Sequence, residues 1–300
     1  MVKIINKCKR KIINQIEHYF MNKILHNNEI LRSRYKVIKH IGSDKIKNIY
    51  AVQDLHLYEN FWTVYEILLN IRHKAGENQK YFFRLNTNLM DLTSLSHENL
   101  ARIIDFFNEK NNLYVISEYF TGINLEKMLD SPKQNFNEME IMNIAIQICD
   151  LFSYFFSKKV KASYYRILLK NIIITYSGIL KMINLGISDF VSVNETDEKN
   201  AIGSMDYLPP EQMQTGCILD QRSLIYIISA LIYHLITKQN PADFSFNLPS
   251  AKTFYPAISS EFLLILNKSL DINPKKRYSN LNEFKKELIR YKRKLLNNRP

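Results

Sequence analysis

Three side chains decide what chemistry this chain can do: Arg166, Asn171 and Asn184, all within YYRILLKNIIITYSGILKMINLG, residues 164–186. Arginine is cationic at every physiological pH and carries no acceptor lone pair, so Arg166 cannot take a proton from a hydroxyl. An asparagine side chain offers a neutral amide oxygen, whereas hard divalent cations such as Mg²⁺ prefer carboxylates. The apolar runs between these residues set their geometry. Ile172, Ile173 and Ile174 form one β-branched run, Leu180, Met182 and Ile183 form its neighbour, and Ser177-Gly178 supplies the turn. Such a hairpin places residue 171 at one end beside residue 184 at the end of the opposite strand, which brings two neutral amides together.

The rest of the chain must hold that hairpin. Its 300 residues, 46% apolar and 12% aromatic, suit one large domain or two packed lobes with an ample core. The longest apolar run, Leu224 to Ile236, is too short for a membrane span and is interrupted by Ser229 and His234, so it predicts a buried helix. No secretory signal pattern opens the sequence. Cys8, Cys149 and Cys217 are too widely spaced to suggest a metal site or a disulfide framework, which predicts a reducing, cytoplasmic setting.

Charge is unevenly placed. Residues 1–12 hold five Lys/Arg and no acid, residues 285–299 hold seven Lys/Arg and only Glu287, and these ends carry nearly all of the formal +12. A near-neutral middle argues against a nucleic-acid groove. The basic ends read either as solvated helix faces or as docking sites for an anionic membrane surface or an acidic partner.

Along the chain, Ile5, Ile12, Ile16, Tyr19, Phe20 and Ile24 recur at helical intervals among lysines and asparagines, predicting an amphipathic helix within residues 1–32. From Tyr35 the pattern becomes β-type in RYKVIKHIG, NIYAVQDL and NFWTVYEIL, three strands of an antiparallel sheet, and residues 100–129 add two more strands and a connector. Asn137-x-x-Glu140 is a capping pattern that opens a helix apolar at Ile141, Ile144, Ile148 and Leu151. Residues 187–202 are polar and acid-rich, and residues 291–300 form a basic tail.

This order resembles the protein kinase family over about residues 33–290. The implied fold is α+β and bilobal, with a small antiparallel-sheet lobe (about 33–120), a larger helical lobe (about 121–290) and an added N-terminal amphipathic helix. Counting back from Asn171, the family's H-R-D falls on Tyr164-Tyr165-Arg166, and its D-F-G on Asn184-Leu185-Gly186. The phosphate loop, G-x-G-x-x-G-x-V in the family, keeps only Gly42, with Asp44 and Lys47 at the other glycine positions. The lysine of A-x-K is replaced by Tyr65, and its glutamate partner, placed by counting from the His97-Glu98-Asn99 turn, by Asn88. Residues 113–120 resemble the adenine-holding hinge, where Glu118 and Phe120 would contribute backbone groups.

Gly203-Ser204-x-x-Tyr207-x-Pro209-Pro210-Glu211 resembles G-T-x-x-Y-x-A-P-E, and the resemblance pairs Glu211 with a buried Arg277 in a structural role. It also implies an aspartate near Ser223 bracing the catalytic loop, a position read as Leu224. HENLARIIDFF, the hinge and YLPPEQ most resemble bacterial-type serine/threonine kinases. The resulting expectation is a pseudokinase, a binding, scaffolding or regulatory module whose partner is an active kinase or an assembly. It would need no cofactor and no metal, sitting in the cytoplasm or peripherally at a membrane. The alternative is an atypical ATP- and Mg²⁺-dependent transferase. In it Lys47 replaces the missing lysine, as in the with-no-lysine kinases, Asn171 is retained, Asp189 or Asp206 approaches a metal, and AMP transfer is a further chemistry. Against that, the ordinary reading of Lys47 is a solvated strand residue.

Overall fold

The computed structural model describes residues 24–43, 47–68, 89–110, 112–132, 135–160, 167–183, 205–213 and 220–297. Residues 1–23 of the predicted N-terminal helix, Asp44, Asn88, Tyr164, Tyr165, Arg166, Asn184, Asp189, Gly203 and Cys217 lie outside them, while residues 24–32 of that prediction are not helical and Ile30–Leu31 is a strand. The chain forms two compact units. One comprises residues up to Ser96 together with Ala101–Tyr119, and the other His97–Leu100 with the chain from Phe120 onward.

The first unit is a six-stranded antiparallel sheet of β1 (Ile30–Leu31), β2 (Tyr35–Ser43), β3 (Lys47–Asp54), β4 (Phe61–Leu68), β5 (Ile103–Glu109) and β6 (Asn112–Glu118), ordered β1-β2-β3-β4-β6-β5. Alternation sorts its side chains. Tyr50 faces Val64, which faces Ile116, and these residues with Val52, Tyr114, Leu25, Leu31, Tyr35 and Val37 form one buried cluster.

Two carboxylates are built into this unit. Asp54, fully buried where β3 turns toward β4, accepts hydrogen bonds from the Arg34 guanidinium, Trp62 Nε1 and the His56 and Leu57 backbone N–H groups. Glu66, 2% exposed, accepts from four neutral donors: Asn48 Nδ2 and Tyr50 Oη at 2.9 Å, Asn112 Nδ2 at 2.9 Å and Tyr114 Oη at 2.8 Å. Tyr50 Oη in turn accepts from Leu25 N–H at 3.1 Å, tying the incoming chain to the sheet.

The second unit contains a small sheet, β7 (Gly122–Asn124), β8 (Ile172–Thr175) and β9 (Leu180–Met182), ordered β7-β8-β9. The predicted hairpin is present in register, Ile172 opposite Met182 and Ile174 opposite Leu180, with Gly178 at φ +79° in the turn. At Gly122 a Cβ would lie 2.3 Å from Ile174 O and 2.7 Å from Ile173 Cγ2, so only glycine lets β7 approach β8 this closely.

Among the described residues this unit's longer helices are α1 (Leu125–Asp130), α2 (Glu138–Ser157), α3 (Gln221–Thr237), α4 (Ser260–Ser269) and α5 (Leu281–Asn297). α2 opens with the full capping box of Asn137 and Glu140. It is long and apolar enough to cross a bilayer by length and composition. Here its apolar face, Ile141, Ile144, Ile148 and Leu151 among others, packs in the core against α3 and α5. α3 carries the longest apolar run and is buried along almost its whole length, as that run predicts.

Candidate functional site

Lys47 and Tyr65 meet on the first unit's sheet. Lys47 opens β3 opposite Ile67, and Tyr65 stands two residues back on β4 on the same face, so the two are diagonal neighbours. The Lys47 ammonium lies 5.9 Å from the Tyr65 ring centroid, within reach of the ring's negative face. Lys47 is 3% exposed, which corrects the expectation of a solvated strand residue. Tyr65 is buried as well. Burial pushes the Tyr65 phenol well above its ordinary pKa, so position 65 stays neutral at any physiological pH. Gly42, on β2 opposite Ile49, has open space where a Cβ would sit. Neither crowding nor backbone strain requires a glycine there.

At the hinge, both backbone groups of Glu118 have partners inside the first unit. Its N–H donates to Arg102 O at 3.0 Å, and its carbonyl accepts a long 3.5 Å contact from the Thr63 hydroxyl. The Glu118 carboxylate turns back to accept Arg102 N–H at 2.9 Å. Phe120, in the second unit, presents its ring to the Lys181 ammonium at 4.5 Å.

In the second unit, Asn171 closes a short 3₁₀ turn, Leu169–Asn171, with its N–H on Leu168 O at 2.8 Å, and its carbonyl accepts from Ile183 N–H at 2.8 Å. The hairpin thus sets residue 171 against residue 183, one position before Asn184. The His97-Glu98-Asn99 turn is joined to the same strands. Asn99 Nδ2 donates to Leu180 O and Gln147 Oε1, both at 2.9 Å, and Asn99 O accepts Met182 N–H at 2.8 Å.

Of the positions that the resemblance names for Mg²⁺, Asn171 and Asp206 are described, and Asn184 and Asp189 lie outside the described residues. Asn171 is a neutral amide, as is Asn184 in the sequence, and Asp206 accepts from Asn240 Nδ2 at 3.1 Å. No group of three or more His, Cys, Asp or Glu gathers among the described residues.

Glu211 and Arg277 do come together, in the paired geometry of two parallel N–H···O bonds at 2.8 Å. The Arg277 side chain is completely buried, and it also donates to the backbone carbonyls of Asp271, Arg222 and Ile272. Burial works against an ionised Glu211. The hydrogen bonds from Arg277 and the Ser223 hydroxyl outweigh it, so the carboxyl titrates below its ordinary value.

One placement is corrected. α3 begins at Gln221 with Asp220 as its N-cap, accepting from the N–H groups of Arg222 and Ser223, while Leu224 points into the core at 1% exposure. The helix start therefore does carry an aspartate, and Leu224 is a packing residue. The signal was an N-cap residue one turn before an apolar run. Glu66 was also missed, since a glutamate in a strand ordinarily marks a solvated face.

A family model described as the protein kinase domain matches residues 71–291. The serine/threonine-protein kinase PrkC of Bacillus subtilis is 24% identical over 271 residues, covering 86% of this chain and 40% of that protein. The serine/threonine-protein kinase PknB of Mycobacterium leprae is 22% identical over 281 residues, covering 87% of this chain and 43% of that protein. The chain thus spans about two-fifths of the length of these relatives. Among solved structures, the PknI kinase domain of Mycobacterium tuberculosis aligns with TM-score 0.66 at 16% identity, over 89% of this chain and 99% of that one. The apo form of PpkA-294 aligns with TM-score 0.71 at 18% identity, over 89% and 100%. These likenesses show the fold, and because the family model covers well over half of the sequence, the chain belongs to the protein kinase domain family.

Proposed function

We propose that the chain works as a pseudokinase, a kinase-shaped binding, scaffolding or regulatory module that engages a protein partner, an active kinase or an assembly, in the cytoplasm or at a membrane surface. The observation that carries this reading is Tyr65: a buried, neutral ring at the centre of β4, where phosphotransfer needs a cation for the nucleotide's phosphates. The sequence adds Arg166 for the general base, a loss that alone costs about 10²–10⁴ in rate, together with Asn184 and Asn88. These losses act on one assembly of groups and do not simply multiply. The test is incubation of purified protein with labelled ATP and Mg²⁺ or Mn²⁺, alone and with generic basic substrates. No label transfer is expected. Transfer of phosphate or AMP that disappears in Asn171→Ala or Asn184→Ala overturns the reading.

A second reading keeps nucleotide chemistry of the kind that the names of the relatives carry. The burial of Lys47 beside Tyr65 favours it, because a cation on β3 can take over the phosphate contact that β4 has lost. A ligand binding only the folded state at a hundred times its dissociation constant adds about 2.7 kcal/mol, which raises the melting temperature by a few degrees. The pseudokinase reading expects a flat melting temperature with millimolar Mg-ATP. A magnesium-dependent rise that vanishes in Lys47→Ala puts the second reading first.

A further inference from the structure

The core face of α5 is accounted for by Leu281, Phe284, Leu288 and Tyr291, which are buried. Its other sides carry Lys285, Lys286, Arg290, Lys292, Arg293 and Lys294. Some of these charges are locally neutralised. Lys285 pairs with Asp150, Arg290 with Glu287 and with Glu261 of α4, and Lys294 also with Glu261. Lys286, Lys292 and Arg293 have no acidic partner among the described residues. An open depression of about 640 Å³ runs beside Lys286 and Arg293, lined by these two with Ile289, Arg290, Lys294 and Asn297.

Apolar side chains border this basic surface. The ion pairs of Glu261 with Arg290 and of Lys268 with Glu283 pin α4 antiparallel along α5. Leu264 lies between those pins on the same stripe of α4 and is 69% exposed. Leu296, on α5 itself, is 48% exposed. An acidic peptide or a nucleic acid is served by the cations alone. A bilayer surface with anionic headgroups offers both an attractive charge and an acyl boundary for exposed leucines.

We propose that the solvent side of α5, with Leu264 of α4, is a docking surface for an anionic lipid bilayer. Each Lys or Arg near such a surface contributes enough that removing three weakens partitioning about a hundredfold. The attraction is screened by salt.

The test uses the full chain in co-sedimentation with phosphatidylcholine vesicles with and without phosphatidylserine, at low and high salt. The combined variant Lys286→Ala, Lys292→Ala and Arg293→Ala is compared with a charge-matched control, Lys36→Ala, Lys39→Ala and Lys252→Ala, after circular dichroism melts show both to be folded. The expected result is salt-sensitive binding to phosphatidylserine vesicles only. It falls about a hundredfold in the first variant and little in the control, and it weakens in Leu264→Ser. Because the first variant keeps residues 1–12, the loss belongs to α5. Undiminished binding, an equal loss in the control, equal binding to pure phosphatidylcholine, or tighter capture by polyglutamate or duplex DNA each overturns the proposal.

Discussion

Arg277 shows how much of a kinase-family fold can rest on one side chain. It is buried, paired twice with Glu211, and donates to three carbonyls, so its removal strands a carboxylate and several acceptors away from water. Breaking such a pair costs about 3–5 kcal/mol, and Arg277→Ala is expected to lower the melting temperature by roughly 10 °C or to leave the protein insoluble. Glu211 titrates lower in the folded than in the unfolded chain, so the pair's contribution is full above the ordinary glutamate pKa and fades as pH falls below it. The melting temperatures of wild type and Arg277→Ala should accordingly converge as the buffer is acidified. This pairing was legible in the sequence because the family resemblance names both partners. Lys47 and Glu66 were not, because their burial depends on strand neighbours far along the chain, which no local pattern reports.

The elements themselves were legible wherever local pattern and tertiary role coincide. The 172–182 hairpin has β-branched residues on its first strand and a glycine in its turn, and α2 carries its capping box in four residues. α3 was harder to place. A helix apolar on every side has no amphipathic phase to mark its start, and only the cap at Asp220 does so. The same helix holds His234, whose Nδ1 lies 2.8 Å from the buried Tyr207 hydroxyl. With the ring proton on Nε2, that hydroxyl donates to it. Burial holds the imidazole pKa below its ordinary value despite Asp206, Asp243 and Asp130 nearby. A folded-state pKa below the unfolded one gives stability that is present at neutral pH and lost as pH falls through the ordinary histidine range. Wild type should therefore lose melting temperature between about pH 7.5 and about pH 5.5 more steeply than His234→Gln.

At the scale of the whole molecule, fold and reaction chemistry rest on different residues. The features that make the chain a kinase-family member are packing features: the two sheets, the buried α3, the Glu211–Arg277 pair. The positions where the family places its catalytic groups hold Tyr65, Asn88, Arg166 and Asn184 in the sequence. The glycines record that separation in miniature. Gly42 stands in open space, whereas a single added carbon at Gly122 would collide with the backbone of β8. In a saturation library scored by soluble expression, position 42 should accept most amino acids and position 122 essentially none. Tolerance would then follow packing alone, with the glycine of β2 free to vary and the glycine of β7 under absolute constraint.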